Sequence, residues 1–267
     1  MSDDLTTLAS HLRTPAFGRV HEHHERIAST NDRAAAWARA GAPHGAVVTA
    51  DAQTRGRGRH GRAWYSPAGE NLYASVVVRP GPVGPSFGAV GLAVGVALRE
   101  ALPAVPAGID LKWPNDLLIG GRKLGGILCE SRWCGNEPEV VIGFGINVHL
   151  RTFAPELETV ATSLAMEDGE GGSLARAPLL AQILGSLEQT LATFVEGGFA
   201  AIRSRYEPHC TMLGHAIELD DPAQPGRRQR VIAEALDHDG ALLVRRDEGD
   251  ALVRVEAADV WLTAADP

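Results

Sequence analysis

The sequence predicts an α+β fold, in which a central sheet with packed helices is followed by a small β-barrel. The 267 residues are 45% hydrophobic and 22% charged, which is enough apolar content for one sizeable domain with a smaller companion. Strand-like and helical segments alternate as far as Tyr206. From Leu213 onward, short alternating strands are separated by turn residues, a spacing that suits a β-barrel of about 50 residues.

The helices are predicted from apolar spacing and from capping residues. Leucines at helical spacing in 5–12 indicate a short N-terminal helix that Pro15 ends. Residues 29–31, Ser-Thr-Asn, provide N-cap chemistry for an alanine-rich helix that ends at Gly41. Further helices are predicted at 86–102, 175–194 and 199–206, and a glycine-rich acidic loop at 167–173.

The strands are predicted from short apolar, β-branched segments bounded by turn residues. Such segments lie at 46–50, 72–78, 109–113 and 140–148. The segments 117–119 and 123–130 form a predicted hairpin, because Gly120 and Gly121 between them suit a two-residue turn. The histidine-rich segment 21–26 lacks this pattern and is interpreted as a polar lead-in. C-terminal turns are predicted at Pro222, Pro225, Gly226, Asp239, Gly240, Glu248 and Gly249.

Composition and charge exclude several classes of protein. The 25 Lys and Arg against 33 Asp and Glu give a net charge of -8, so nothing in the overall balance favours binding to nucleic acid or to an anionic membrane. The 3 cysteines cannot form a disulfide framework, and the acidic N-terminus does not resemble a signal peptide. The most apolar stretch, 87–98, is shorter than the roughly 18 residues that a membrane span needs. We therefore expect a soluble cytoplasmic protein with no membrane partner.

The densest candidate site is the segment 55–62, RGRGRHGR. It contains G-x-G-x-x-G, but Pro67 and Gly69 exclude the helix that a dinucleotide-binding loop must open. The patterns of protein kinases and of P-loops are absent as well. Four arginines on a glycine loop in an acidic protein suit a ligand with a carboxylate and a polyphosphate. A solvated basic turn and a nucleic-acid patch are the alternative interpretations.

A second candidate site combines two lysines with a pair of glycines. Lys112 ends a predicted strand in KWPND, and Lys123 begins one in RKLGGI. Such lysines can direct their ammonium groups into a cleft and neutralise the charge of a triphosphate. Gly125 and Gly126 leave room for a flat ligand. The alternative is that the lysines are surface residues and the glycines form a bulge.

Three further groups of residues carry weaker signals. His21, His23 and His24 have no partner cysteines at a zinc spacing, so a solvated stretch is the preferred interpretation. Cys129 and Cys134 are too far apart for C-x-x-C, and a buried thiol is expected for Cys129. The serine-hydrolase pattern G-x-S-x-G is absent from the sequence.

Together these segments resemble the biotin protein ligases, also called biotin–acetyl-CoA-carboxylase ligases. The matching pieces are Ser29-Thr30-Asn31, Gln53, GRGRHGR at 56–62, Trp64, KWPNDL at 112–117, RKLGGIL at 122–128, GFGINV at 143–148 and ATSL at 161–164. They occur in the family's order, and their conjunction is specific. The resemblance implies a lead-in at 1–20, a class II synthetase-like catalytic domain with a central mixed sheet at 21–210, and an SH3-like β domain at 211–267.

The resemblance also implies the activity. In this family the carboxylate of biotin attacks the α-phosphate of Mg-ATP, and a lysine of a biotin carboxyl carrier domain then displaces AMP. We therefore expect ATP as co-substrate, Mg²⁺ as its ion, biotin as substrate, the carrier domain of a carboxylase as partner, and a homodimer. The short acidic segment before Ser29 offers no basic recognition helix, so we expect no DNA binding.

The roles of individual residues follow from the same resemblance. The implied biotin-binding residues are Ser29, Thr30, Asn31, Gln53, Arg57, Gly58, Arg59, Lys123 and Gly126. The implied ATP-binding residues are Arg59, His60, Arg62, Trp64, Lys112, Asn115, Lys123 and Asn147. Arg57, Lys112 and Lys123 are the implied catalytic residues, and the metal ligands are left unassigned. Asp116 is expected either to orient Lys112 or to hold a metal-bound water.

Two other functions remain open at this point. A lipoate ligase or octanoyl transferase shares the general fold and attaches a different acyl acid to a lysine, although the GRGRHG loop and KWPND favour biotin. A DNA- or RNA-binding regulator that uses the basic loop is the alternative without enzymatic activity.

Overall fold

The computed structural model of the chain describes residues 4–81, 83–134, 137–167, 174–220, 228–246, 251–256 and 258–262. These residues form a sheet of seven strands, a second sheet of five strands, and helices packed on the first sheet. The strands of the central sheet are β1 (His21–Ile27), β2 (Val47–Gln53), β3 (Asn71–Val78), β4 (Asp110–Lys112), β5 (Asp116–Ile119), β6 (Arg122–Cys134) and β7 (Glu137–Asn147). The strands of the second sheet are β8 (Ala216–Asp220), β9 (Arg228–Leu236), β10 (Leu242–Arg246), β11 (Leu252–Val255) and β12 (Val260–Leu262). The α-helices are α1 (Thr30–Arg39), α2 (Val90–Ala101), α3 (Leu164–Glu167), α4 (Arg176–Gly197) and α5 (Arg203–Tyr206).

The central sheet is mixed, as predicted. Its strand order is β1-β2-β3-β7-β6-β5-β4, in which β1 pairs with β2 in parallel and the other neighbours pair antiparallel. β5 and β6 form the predicted hairpin. Gly120 and Gly121 both have positive φ, 55° and 77°, which a type I′ turn requires at its two central residues.

Helices cover both faces of the central sheet. The side chain of Ser29 caps α1 by accepting a hydrogen bond from the N–H of Asp32. α1 buries Ala34 and Ala38 against one face of the sheet. α2 and α4 pack on the other face, together with the buried leucines of the N-terminal 3₁₀ helix Leu5–Ser10. β3 is buried along its whole length because it lies between these two layers.

The second sheet packs against the same core. Its strand order is β11-β10-β9-β8-β12, with antiparallel pairing throughout. The indole N–H of Trp113 donates to the carbonyl of Gly240 at 3.0 Å, and Arg203 donates to the carbonyl of Asp237 at 2.6 Å. A Cβ atom at Gly240 would lie 2.8 Å from the Cβ of Ala89. This close approach fixes the C-terminal sheet beside the end of β4.

The histidine-rich segment 21–26 is not a polar lead-in, because it belongs to β1. His21 Nε2 and His23 Nδ1 lie 2.8 and 3.0 Å from the hydroxyl of Thr49 on β2. The strand is stabilised by parallel backbone pairing with β2. This pairing leaves no apolar pattern in the sequence, so the strand was not predicted. Burial, together with the charge of His23, lowers the pKa of His21 to about 4.

Several predicted helices are shorter or tighter than expected. The helix predicted at 86–102 begins as the 3₁₀ helix Pro85–Ala89 and becomes α-helical at Val90, and the segment 199–206 divides into the 3₁₀ helix Phe199–Ala201 and α5. Glu167 belongs to α3, whereas 168–173 of the predicted acidic loop lie outside the described residues. The same holds for the turn residues Pro222, Pro225, Gly226, Glu248 and Gly249. Within the described ranges, no helix is long and apolar enough to cross a bilayer.

The three cysteines are not paired with one another. Cys129 on β6 packs against the central core, and burial raises the pKa of its thiol to about 12. The expected buried thiol is thus partly buried, and its raised pKa leaves it protonated at neutral pH.

Candidate active site

A cleft of about 660 Å³ opens between the segment 55–66 and the surface of β6 and β7, and residues 153–161 complete its wall. Thirteen of the residues implied by the sequence line this cleft. They are Ser29, Thr30, Asn31, Gln53, Arg57, Gly58, Arg59, Arg62, Trp64, Asn115, Lys123, Gly126 and Asn147. Two implied residues, His60 and Lys112, do not line it. The structure therefore brings most of the candidate residues together in one place.

One end of the cleft is formed by polar side chains at the start of α1. The N–H of Thr30 donates to Gln53 Oε1 at 2.9 Å, and the Thr30 hydroxyl lies 3.2 Å from the same oxygen. The hydroxyl of Ser75 lies 2.8 Å from Thr30 Oγ1 and 2.6 Å from Asn31 Oδ1. Ser29, Thr30, Asn31 and Ser75 are buried. Because these groups orient one another, this end presents fixed donors and acceptors to a polar ring.

The amide of Asn31 lies against a strand residue that has no side chain. Asn31 Nδ2 donates to the carbonyl of Leu128 at 3.2 Å and to Glu130 Oε2 at 2.9 Å. A Cβ atom at Gly143 on β7 would lie 1.8 Å from Asn31 Oδ1, which is far inside van der Waals contact. The position of this amide therefore requires glycine at residue 143.

The floor of the cleft is a flat glycine surface on β6 and β7, and the indole of Trp64 lies on it. A Cβ atom at Gly145 would lie 2.5 Å from Trp64 Nε1, and one at Gly126 would lie 3.3 Å from the indole ring. Trp64 Nε1 is buried without a hydrogen-bond partner. The ammonium of Lys123 lies 5.4 Å from the ring centroid, within the range of a cation–π interaction. The surface accommodates a planar group, here the chain's own indole.

A single carboxylate holds the two candidate lysines. Asp116 Oδ1 lies 2.6 Å from Lys123 Nζ, and Asp116 Oδ2 lies 3.6 Å from Lys112 Nζ. Burial lowers the pKa of Lys112, and the neighbouring Asp116 opposes that shift. Of the two open interpretations of Asp116, the contacts agree with orientation of the lysines. Lys112 does not line the cleft. Its ammonium group lies beside the second oxygen of Asp116, Oδ2.

Arg57 links the glycine and arginine loop to α1 and β6. Its Nη2 lies 2.7 Å from Asp32 Oδ1. The same nitrogen donates to both oxygens of Glu130, at 3.0 Å to Oε1 and 2.8 Å to Oε2. All three side chains are partly exposed, by 36% for Arg57, 48% for Asp32 and 38% for Glu130. One guanidinium thus faces two carboxylates at the rim of the cleft.

The loop also reaches the C-terminal sheet, through Arg59, His60 and Arg62. Arg59 lies 3.4 Å from Asn115 Oδ1 and donates to the carbonyl of Ala258 at 3.3 Å, and its burial lowers the pKa of the guanidinium. Arg62 and His60 lie 2.6 and 3.7 Å from Asp259 Oδ1. His60 adopts a φ of 55°, which glycine tolerates better than histidine. The loop is therefore fixed on both sides of the cleft.

The side-chain amide of Asn147 is occupied by the protein itself. Asn147 Nδ2 donates to the carbonyl of Thr162 at 2.9 Å, and Asn147 Oδ1 accepts from Asn71 Nδ2 at 3.3 Å. Similarly, Asn115 Nδ2 donates to the carbonyl of Ile127 at 3.0 Å. These two amides line the cleft, and they also hold in place the backbone segments that form its wall.

Several residues of the site were missed in the sequence. Asp32, Ser75, Glu130 and Asp259 come from four separate segments, and no local motif marks them. A signal did exist for Gly143 and Gly145, because glycines two residues apart on a strand face the same side of the sheet. The apolar wall residues also lack a motif; they are Phe153, Leu157 and Val160.

The arrangement suits a ligand that carries both a polar ring and an anionic group. Buried amides and hydroxyls line part of the cleft, and Arg57, Arg59, Arg62 and Lys123 line it as well. A carboxylic acid with a polar ring would place its carboxylate near these cations, where phosphate groups would also bind. Among the described residues, the only three neighbouring groups of metal-ligand type are Asp237, His238 and Asp239. They lie in the turn between β9 and β10, and Arg254 pairs with both aspartates.

Comparison with known proteins gives consistent results. Residues 24–147 match the profile of the Biotin/lipoate A/B protein ligase family. The bifunctional ligase/repressor BirA of Bacillus spizizenii is 33% identical in an alignment of 263 positions that covers 94% of this chain and 76% of that protein. The biotin–acetyl-CoA-carboxylase ligase of Mycobacterium tuberculosis is 35% identical over 239 residues, covering 87% of this chain and 85% of that protein.

The fold is likewise similar to solved structures. The biotin protein ligase from Aquifex aeolicus in complex with biotin and ATP superposes with a TM-score of 0.77 and 26% identity. The similarity covers 92% of this chain and 100% of the Aquifex chain.

Proposed function

The chain belongs to the biotin/lipoate A/B protein ligase family, and we propose that the cleft described above is where it activates biotin with ATP and passes it to a carrier lysine. The chain is an ATP-dependent biotin protein ligase, as its similarity to ligases of known substrate establishes. One observation carries the assignment of the cleft. Buried amide and hydroxyl groups and a cluster of cations line a single glycine-floored space.

The first step joins two anions, and the cations of the cleft bring them together. The carboxylate of biotin attacks the α-phosphorus of ATP, the bond to the β-phosphate breaks, and pyrophosphate leaves. We assign Lys123 and Arg57 to the carboxylate and the α-phosphate, where negative charge grows during the attack. Lys112 acts beside them through Asp116. Holding both anions next to each other in one cleft also lowers the barrier, because the reacting groups are already oriented.

The biotin end is assigned to the hydrogen-bonded group at the start of α1. Ser29, Thr30, Asn31 and Gln53 are proposed to bind the ureido ring, because their donors and acceptors are already fixed by the protein. Gly126 leaves room for the ligand beside β6, and Gly58 and Arg59 belong to the loop that covers it.

The nucleotide end is assigned to residues on the loop side. They are Arg59, His60, Arg62, Trp64, Lys112, Asn115, Lys123 and Asn147. The phosphates of ATP would carry a Mg²⁺ ion, since this ion is usually bound through substrate phosphates and water. No side chain of the cleft is assigned to the ion, because both oxygens of Asp116 are already paired with the ammonium groups of Lys123 and Lys112. The ion would neutralise charge on the leaving pyrophosphate.

The second step consumes the mixed anhydride. The ε-amine of the carrier lysine attacks the acyl carbon of biotinyl-5′-AMP, AMP leaves with the electrons of the broken C–O bond, and an amide remains. The carrier belongs to a biotin-dependent carboxylase, in keeping with the acetyl-CoA-carboxylase ligases to which the chain is similar.

We also propose a homodimer, a cytoplasmic location and the division into domains at 21–210 and 211–267. The exposed Trp133, 64% accessible at the end of β6, is an apolar group that a subunit interface would cover. Unpaired cysteines suit a reducing compartment. The division falls between α5 and β8, where the sequence of elements passes from the central fold to the second sheet.

A substrate panel tests the proposal. The purified protein is given ATP with biotin, lipoate or octanoate, and pyrophosphate release is followed. We expect release with biotin alone, and transfer of biotin to a carrier domain in a second assay. Release with lipoate or octanoate instead would assign the chain to the other branch of the family. Release with none of the three would contradict the assignment.

A further inference from the structure

Glu130 connects two parts of the cleft that are far apart in the sequence. Its carboxylate accepts hydrogen bonds from Arg57 on the loop, at 2.8 and 3.0 Å, and from Asn31 at the start of α1, at 2.9 Å. Through Asn31 it joins the hydrogen-bonded group of Ser75, Thr30 and Gln53. The same carboxylate thus contacts the biotin end and the loop cation.

The charge around Arg57 opposes the binding of an anion. Arg57 Nη2 is shared between Glu130 and Asp32, which lies 2.7 Å away. Two carboxylates and one guanidinium give this cluster a net negative charge. An incoming carboxylate or phosphate that is to bind Arg57 must compete with groups of its own charge and chemistry.

We propose that Glu130 is a positioning residue that holds Arg57 in the unliganded enzyme and thereby lowers the affinity for the anionic ligand. The ligand's carboxylate or phosphate replaces the carboxylates of Glu130 and Asp32 on the guanidinium. Glu130 keeps its contact with Asn31, so the biotin end stays ordered during the exchange. This inference rests on the proposed role of Arg57 in the cleft.

Two substitutions of Glu130 separate charge from hydrogen bonding. Glu130→Gln retains an oxygen that accepts from Asn31 but removes the negative charge beside Arg57. Glu130→Ala removes both. If Glu130 only orders Asn31, then Glu130→Gln leaves binding unchanged or weakens it. If Glu130 competes with the ligand for Arg57, then Glu130→Gln tightens the binding of an anion.

Calorimetry with biotin and with biotinamide, which lacks the carboxylate, makes the test. For Glu130→Gln we expect the Kd for biotin to fall about threefold to fivefold, as is typical for loss of one partly exposed charge interaction, and the Kd for biotinamide to stay unchanged. Salt should reduce the effect. In an Arg57→Ala background the effect should disappear, since the competing cation is gone.

Asp32→Asn provides a second, independent variant, because Asp32 contacts Arg57 but not Asn31. Asp32→Asn should also lower the Kd for biotin. Glu22→Gln is the matched control, since Glu22 pairs with Arg33 away from the cleft, and it should change neither Kd.

Unchanged or weaker biotin binding in both Glu130→Gln and Asp32→Asn would overturn the inference. Equal tightening for biotin and biotinamide would do so as well, because the charge of the ligand would then be irrelevant. Pyrophosphate release by the unsubstituted protein is measured in parallel. If it depends on biotin while the variants behave like the parent, only the role of Glu130 fails. If it does not depend on biotin, the proposed function of the cleft fails.

Discussion

Lys123 Nζ lies 2.6 Å from Asp116 Oδ1, so the lysine that borders the cleft is held by a carboxylate from the neighbouring strand. The second oxygen of Asp116 lies 3.6 Å from Lys112 Nζ. A free lysine side chain would lose considerable rotamer entropy on binding phosphate. Asp116 removes part of that freedom before the ligand arrives, so that the ammonium groups are already oriented toward the charge that the reaction develops.

Removal of either ammonium group should suppress adenylation. For Lys123→Ala we expect formation of biotinyl-5′-AMP to slow by about a hundredfold to a thousandfold, since the group stabilises charge that grows in the transition state. For Lys112→Ala we expect about a tenfold loss, because Lys112 acts from behind Asp116. Single-turnover formation of the adenylate measures both. Arg122→Ala is the control, since Arg122 pairs with Glu167. A variant that forms the adenylate at the parent rate would refute the role of its lysine.

The rate of adenylation should fall at alkaline pH, and this fall should begin at a lower pH than it would if Lys112 had an ordinary lysine pKa. Burial lowers the pKa of Lys112 below its usual 10.5, against the opposing effect of Asp116, with Lys123 and Arg62 contributing in the lowering direction. As the pH rises through that lowered pKa, Lys112 loses its charge and the rate falls. Lys112→Arg keeps the charge throughout this range, so its alkaline limb should move to higher pH. Coincident pH profiles from pH 7 to 10.5 would contradict this.

The elements that could be predicted from the sequence are those whose signal is local. The β5–β6 hairpin is marked by Gly120 and Gly121, and α1 is marked by Ser29 and its alanines. β1 was missed because its stability comes from pairing with β2, which no periodicity within HEHHER reveals.

The site divides in the same way. Its loop and lysines lie in contiguous motifs and could be found. The contacts of Ser75 with Asn31, of Glu130 with Arg57 and of Asp259 with Arg62 arise only from the sheet order and from the docking of the second sheet. A single sequence contains no local pattern for such contacts. These contacts depend on how separate segments of the chain pack together.

Substitution of Gly143 should disable the biotin end of the cleft. A Cβ atom there would lie 1.8 Å from Asn31 Oδ1, so Gly143→Ala must displace the amide and break its contact with Ser75. We expect biotin affinity to fall by about tenfold or more, as measured by calorimetry. Gly185→Ala is the matched control, because that helical glycine has no atom within 4 Å of an added Cβ, and it should be neutral or slightly stabilising. Normal biotin binding by Gly143→Ala would contradict the assignment.

Acid should destabilise the fold through His21. Its pKa of about 4 in the folded chain lies below the ordinary 6.5 because of burial and the charge of His23. The unfolded chain therefore takes up a proton first as the pH falls, and the stability is present above pH 6.5 and is lost between pH 6.5 and 4. The shift corresponds to at most about 3 kcal/mol, reduced by solvent screening. His21→Gln should flatten the dependence of the melting temperature on pH in this window. An equally steep dependence in the variant would assign it to other groups.

Loss of the loop cation should affect ligand binding rather than the fold. The guanidinium of Arg57 pairs with the partly exposed carboxylates of Asp32 and Glu130, and surface pairs of this kind contribute about 1 kcal/mol or less to stability. Arg57→Ala should therefore keep the parent melting temperature within a few degrees. It should nevertheless slow adenylate formation and speed release of biotinyl-5′-AMP, each by about tenfold or more, because the guanidinium is assigned to the carboxylate and phosphate.

A chase experiment with unlabelled biotin measures the release. Arg33→Ala, which removes an arginine of α1 that pairs with Glu22 instead, should change neither rate. Parent-like retention of the adenylate by Arg57→Ala would place the anion on another cation of the loop. Arg59, which lines the same cleft 3.4 Å from Asn115 Oδ1, would be the next to test.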